Sequence, residues 1–337
     1  VKILIWHVHG GWMDSFVHGP HEYLVPVNAQ RDAWGLGTGG RDWPASVREV
    51  SQEQLAEEHI DVVVLQRPEE LAEVHRLTGR APGSELPAVF LEHNTPKSGN
   101  VPNSVHPLAE RSDIPIVHVT HFNRLFWDCG RARTLVIEHG IVDPGYQYTG
   151  TNPTLGVAIN EPVRRWRVTG TDLLPGFAQI APLEVYGIGT KKLPEALQLP
   201  EGQLIIRGDV NPAQLHGMLG QARAYLHPFR WTSLGLALLE AMHLGMPVLA
   251  LGATEAFRAV PPEAGMVSND VAELQRTARV LLNDPQEAVA RGRAAREFAL
   301  KHYGLQRFLT RWDTVLAEVG DVRSTQLAEE LTEGSTP

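Results

Sequence analysis

Thr232-Ser233-Leu234-Gly235-Leu236-Ala237-Leu238-Leu239-Glu240-Ala241-Met242-His243-Leu244-Gly245-Met246-Pro247 is the most informative stretch of the chain. Thr232 or Ser233 suits a helix N-cap, Gly245 suits the left-handed residue that closes a helix, and Pro247 blocks continuation. Between these marks the predicted helix over residues 234–244 is apolar on nearly every face, so it must be covered on all sides. Residues 248–251, Val-Leu-Ala-Leu, then read as a buried strand. A buried helix feeding a buried strand is a fragment of a parallel α/β sheet covered on both faces.

The same alternation runs outward through the chain, and it starts twice. Apolar runs at 2–8, 60–66, 88–92, 114–120 and 134–138 predict one set of strands. Runs at 155–160, 183–186, 204–207, 224–226 and 248–251 predict a second set. Helical stretches at 45–58, 212–222, 234–244 and 270–282 fall between them, which implies βαβ units and two doubly wound α/β sheets. Turn formers cluster at Asp143-Pro144-Gly145 and Thr149-Gly150-Thr151-Asn152-Pro153. They place the break so that the expected domains are 1–150 and 151–303, with 304–337 a helix packing back towards the first domain plus a polar tail.

Composition narrows the function classes. The 337 residues are 43% hydrophobic and 20% charged, ordinary for a globular protein of two domains. A formal net charge of −9 disfavours sequence-independent nucleic-acid binding and adhesion to anionic membranes. No apolar run approaches the roughly 20 residues of a membrane span. Cys129 is the single cysteine, so no intrachain disulfide can form and a reducing, cytoplasmic setting is expected.

Ligands of open α/β sheets bind beyond the carboxyl ends of the strands. The segments there are rich in glycine, histidine and charge: His9-Gly10-Gly11-Trp12, Arg67-Pro68, His93-Asn94, His139-Gly140, Arg164-Arg165 with Arg167, Gly187, Gly208-Asp209-Val210, and His227-Pro228-Phe229-Arg230. No G-x-G-x-x-G, Walker loop or G-x-S-x-G elbow is present, and no His/Cys/Asp/Glu set has a metal-site spacing. No cofactor and no metal are therefore expected. The start of the 234–244 helix offers backbone N–H groups to a diphosphate. Glu240 is alone among apolar residues and needs either donor hydroxyls, such as those of a ribose, or an arginine from a neighbouring helix. Trp12, Phe16, His18, His21 and Tyr23 in the first-half loops suit either an acceptor or packing.

These residues resemble the retaining GT-B glycosyltransferases of family 4. The resemblance rests on Pro228 to Gly235, on Glu240-Ala241-Met242-His243, and on Gly245-Met246-Pro247-Val248-Leu249-Ala250. It extends to Thr254-Glu255-Ala256, Val136 to Asp143, Gly170-Thr171-Asp172-Leu173-Leu174 and Gly208-Asp209-Val210. The match is close in the second half and loose in the first. It implies two Rossmann-like domains facing a central cleft, and sugar transfer from a nucleoside-diphosphate sugar with retention and without a metal. The acceptor, whether small molecule, glycan or lipid-linked, is left open.

By the same resemblance Glu240 holds the ribose, while Ser233, Leu234 and Gly235 meet the diphosphate. Arg164 neutralises the leaving group, and His93 lies near the sugar. Gly187, Asp209 and Val210 border the nucleotide, and Gly10 and Gly11 leave room beside the phosphates. Thr232 replaces the first glutamate of the family's E-x7-E, and Thr169 replaces the lysine of its R-x4-K pair, for which Arg165 or Arg167 would substitute. Those two replacements motivate the alternative of a non-catalytic sugar-nucleotide sensor or partner subunit. A GT-B epimerase or phosphorylase is a second rival, and the phosphorylase form would need a lysine anchoring pyridoxal phosphate, for which Lys191-Lys192 carries no supporting motif.

Overall fold

The computed structural model describes residues 1–97 and 99–333, without the side chains of residues 213 and 321–333. It divides into two units, Val1–Gly140 with the chain from Leu305 onward, and Ile141–Gly304. The division falls before residue 150 because Ile141 and Tyr148 are buried in the core of the second unit, where the Tyr148 hydroxyl donates to the Arg223 carbonyl at 2.8 Å.

The first unit is a parallel sheet of β1 (Lys2–Ile5), β2 (Glu22–Val27), β3 (Val47–Ser51), β4 (Val62–Leu65), β5 (Ala88–Glu92), β6 (Ile116–His118) and β7 (Thr134–Val136). Their spatial order is β3-β2-β1-β4-β5-β6-β7. Successive strand residues serve opposite cores. Ile3 and Ile5 pack with Trp12, Met13 and Phe16 of the helix Gly10–Phe16 and with Phe308 and Trp312 of the helix Leu305–Glu333. Leu4 packs on the other face with Leu55, Val74 and Leu77. Trp12, Phe16 and Tyr23 are thus core residues, while His18 is exposed and His21 pairs with Asp313 at 2.9 Å.

Two strands here were not expected. β2 contains Pro26, which argues against a strand within a sheet, yet the proline lies opposite Val50 of β3. β3 falls inside the predicted helix 45–58, of which only Gln52–Leu55 is helical, started by a Ser51–Gln54 capping box. The polar residues of β3 read as the outer face of a helix, whereas Arg48 is held by Glu22 and Glu58 and Glu49 by Arg31.

The second unit has β8 (Asn152–Ala158), β9 (Leu183–Tyr186), β10 (Leu204–Gly208), β11 (Ala222–His227), β12 (Val248–Leu251) and β13 (Gly265–Ser268), all parallel, in the order β10-β9-β8-β11-β12-β13. β13 is a further unpredicted strand, because Gly265-Met266-Val267-Ser268 holds only two consecutive apolar residues. Chain order reverses between β1 and β4 in one sheet and between β8 and β11 in the other. A crevice opens beyond the strand ends at such a reversal.

Candidate functional site

In the second unit the helix Leu236–Leu244 follows β11. Its N-cap is Gly235, with extended backbone and no side-chain cap. Thr232 and Ser233, the expected caps, lie upstream in the loop. Leu234 turns into the core, and a Cβ at Gly235 would come within 2.8 Å of the His227 ring. The first turn is therefore open at the backbone, which suits an anion. Thr232 is half-buried and its hydroxyl meets no described residue.

Glu240 is not fully buried as expected. Its side chain is 26% exposed and faces His216 of the helix Pro212–Leu219 at 3.7 Å, rather than an arginine. Near it the Tyr225 hydroxyl and His216 Nε2 are buried without hydrogen-bond partners, as is Nδ1 of His227. Burial and the Glu240 charge raise the Tyr225 phenol, and burial lowers His227 to about 3. Native proteins rarely leave buried polar atoms unpaired, and a polar ligand beside the uncapped helix start would satisfy them.

The segment after β8 approaches the same loop. A four-residue helix, Pro162–Arg165, is bounded by Glu161 (φ 54°) and Trp166 (φ 34°), two left-handed non-glycine residues whose strain must be held by their surroundings. This geometry sorts the arginines. Arg164 is 71% exposed and 3.6 Å from Glu161. Arg167 is paired at 3.1 Å with Asp172, which Arg230 also holds. Arg165 is half-buried, 5.9 Å over the Phe229 ring, and has no carboxylate partner among the described residues. Burial and then Arg164 lower its pKa, so an anion there would relieve both effects.

Thr169, expected where the resembling family has a lysine, lies at a position closed to solvent. It is fully buried, donates to the Trp166 carbonyl at 3.0 Å and lies 2.9 Å from the Thr171 hydroxyl. Gly170 (φ 71°) packs so closely on the Pro228 carbonyl that a Cβ would sit 1.9 Å from it. Gly187 (φ 122°) is likewise structural, since its Cβ would meet the Ile159 carbonyl at 2.3 Å. Asp209 is exposed and Val210 half-buried just after β10.

In the first unit, the residues after β1, β5 and β7 bring three imidazoles together. The His9 and His93 rings lie 3.9 Å apart, and Trp12 meets His93 edge-on at 5.4 Å. Burial lowers His9 and His139 to about 4 and holds His93 well below its ordinary value, with His9, His139 and Lys97 adding to the last shift. All three are neutral at pH 7. Gly10 and Gly11 open the helix Gly10–Phe16 rather than forming a loop, and the space beside Gly10 is filled by the Arg41 guanidinium, paired with Asp14. Sequence reasoning missed Gln66, His216 and Tyr225. Gln66 was the end of a predicted strand, and its place just beyond β4 was the only signal.

A second histidine group is structural. His106 accepts the Leu108 N–H on Nδ1 at 3.1 Å, so Nε2 carries the proton that faces Glu92 at 3.1 Å. Cys129 lies 3.5 Å from His118, and burial pushes its thiol up to about 11, which makes it inert.

Residues 172–284 match the family Glycosyl transferases group 1. The matched segment lies within the second unit. No curated protein matches the sequence. Among solved structures the chain is similar to TarM, named in a second structure as that of S. aureus, with TM-score 0.63 and 15% identity over 76% of this chain and 54% of that one. It thus spans about half of TarM. It is also similar to Anabaena HepE in complex with UDP-glucose, with TM-score 0.69 and 17% identity over 94% of this chain and 99% of that one. Sucrose-phosphate synthase from Thermosynechococcus elongatus gives 0.67 and 14% over 97% and 99%. The two parallel sheets are those of the GT-B fold. No helix among the described residues is long and apolar enough to cross a membrane.

Proposed function

We propose that the protein transfers a sugar from a nucleoside-diphosphate sugar to an acceptor hydroxyl, with retention of configuration and without a metal ion. The observation that carries this reading is Arg165, a half-buried guanidinium without a carboxylate partner among the described residues, in the unit whose helix Leu236–Leu244 starts without a side-chain cap. A diphosphate completes both, through charge-assisted hydrogen bonds to the guanidinium and backbone N–H groups. Glu240 accepts from ribose hydroxyls. HepE has been crystallised with UDP-glucose on the same fold, which supports a donor of this class here. Catalysis is then leaving-group stabilisation and positioning. A chain with one cysteine suits the reducing cytoplasm.

The test is a thermal-shift and calorimetric screen of nucleoside diphosphates and their sugars, followed by mass spectrometry for donor hydrolysis and NMR of the product anomer. A nucleoside diphosphate should stabilise the protein, and it should lose most of its advantage over the 2′,3′-dideoxy form when Glu240 is changed to Gln. If no nucleotide binds, the reading fails. Binding without hydrolysis or transfer would make the protein a sensor.

A further inference from the structure

The Glu240 carboxylate has two unclaimed polar neighbours, and the three side chains come from different elements of the second unit. His216 stands on the helix Pro212–Leu219, Tyr225 on β11 and Glu240 on the helix Leu236–Leu244. His216 Nε2 and the Tyr225 hydroxyl are buried and have no hydrogen-bond partner among the described residues. Tyr225 is fully buried, and the Ala158 N–H that faces its oxygen is a donor, which cannot take the phenol proton. The Glu240 charge acts on that phenol too.

Packing holds these groups in place. Leu219 is in the core and Leu215 and Met218 pack against it, so His216 is carried on a helix that touches the helix Leu236–Leu244. Glu240 lies one turn past Leu236, about 6 Å along the axis, and its Cα–Cβ bond tilts back towards the open helix start. His216 Nε2 and Glu240 Oε2 are 3.7 Å apart, too far for a hydrogen bond to each other. One oxygen about 2.8 Å from both would fill that gap. An ionised carboxylate only accepts, so the oxygen between them must carry a proton for Glu240. A hydroxyl does so and still accepts from His216 Nε2–H, whereas a carbonyl or phosphate oxygen has no proton to give.

We propose that His216 is a specificity-determining residue that, opposite Glu240, holds one ribose hydroxyl of the bound nucleotide and so rejects nucleotides lacking it. The inference rests on the nucleotide-sugar reading above, and every group it uses lies in the second unit. Glu240 by itself accepts from either hydroxyl of a ribose. A second contact from another helix fixes which of the two is held, and where. A deoxy sugar at that carbon leaves the buried His216 nitrogen unpaired, which is the condition under which a site discriminates strongly.

The test is calorimetry of the full-length protein with UDP, GDP and ADP, and with the 2′-deoxy and 3′-deoxy forms of whichever binds. The native protein should prefer the ribonucleotide to one of the two deoxy forms by about tenfold or more. His216→Ala should cut that preference to within about threefold. It should leave the affinity for the same deoxy form within about twofold, because that form never made the contact. His216→Gln, which keeps an N–H donor, should retain a preference above about threefold. An equal loss for the ribonucleotide and both deoxy forms shows a purely structural histidine and overturns the proposal, as does an unchanged preference in His216→Ala. Should neither variant fold, the native protein still decides, since no preference over either deoxy form overturns the proposal. The two readings fail differently: no binding by any nucleoside diphosphate sinks both, whereas binding with a flat preference sinks this one alone.

Discussion

The two units have one topology and opposite electrostatics at their strand ends. In the first, the groups gathered beyond β1, β5 and β7 are His9, His93 and His139, all driven neutral by burial. In the second, the groups beyond β8 and β11 are Arg164, Arg165, Arg167 and Arg230, with an uncapped helix start beside them. A neutral imidazole cluster exchanges hydrogen bonds with hydroxyls but gains little from an anion. A guanidinium beside free N–H groups does the reverse. The difference shows that a single fold can be specialised by which side chains follow its strands, without changing the strands.

The largest expected effect comes from putting a charge where the second unit keeps none. Thr169→Lys restores the family spacing on paper but places an ammonium at a fully buried position. We expect a loss of about 4 kcal/mol, about 10 °C in melting temperature, against about 1 kcal/mol for Thr169→Val, which removes one hydrogen bond. A Thr169→Lys protein that melts with the wild type would show that the residue can turn outward.

Acid is the next largest perturbation, and it should act on the units unequally. A histidine whose folded pKa lies below 6.5 binds fewer protons in the native state, so its stabilisation is full above pH 6.5 and is lost as pH falls towards the folded value. A group moved from 6.5 to about 4 accounts for about 3 kcal/mol. The first unit holds His7, His9, His21, His93, His118 and His139 in this condition, and the second holds His227 and His243. Glu70, pushed up to about 6 by burial, opposes the trend only between its ordinary value of 4.5 and 6. Hydrogen exchange at pH 5 should therefore expose the amides of β1, β4 and β5 before those of β8 and β11. The opposite order would sink the assignment of buried neutral histidines to the first unit.

How far the sequence carries can be judged on the same two units. The second unit was readable because its central strands are uninterrupted apolar runs and its buried helix has marked ends. β2 and β3 were not, because Pro26 interrupts one and the other is held by ion pairs between residues distant in the chain, such as Arg48 with Glu22. At the site, residue type was legible but direction was not. The family resemblance named Thr169 as the lysine's replacement and the sequence grouped three arginines, yet only the structure shows that Arg165 is the half-buried one, over the Phe229 ring. Gln66 carries no motif, since its meaning arises from neighbours 60 and 27 positions away in the sequence.

A more moderate effect should separate Arg165 from its neighbours. Arg165→Ala should weaken nucleoside-diphosphate binding about thirtyfold by calorimetry, the worth of roughly 2 kcal/mol for charge-assisted hydrogen bonds in a half-buried setting. If the loss is less than threefold, the anion is held elsewhere and the proposed donor seat is wrong.

The smallest effects should come from Arg164→Ala and Arg167→Ala, each within about threefold in Kd. Both side chains are 71% exposed, where water already solvates the charge and salt screens it. Arg167 is also redundant, because Asp172 keeps Arg230 when Arg167 is removed. What remains is a long-range contribution to the local potential, so the residual effect should fade between 50 mM and 500 mM salt while that of Arg165→Ala persists. A salt-resistant loss at Arg164 larger than that at Arg165 would reverse the assignment. The exposed arginine would then have to swing onto the diphosphate, and the strained turn at Glu161, which also pairs with it, would be the element that releases it.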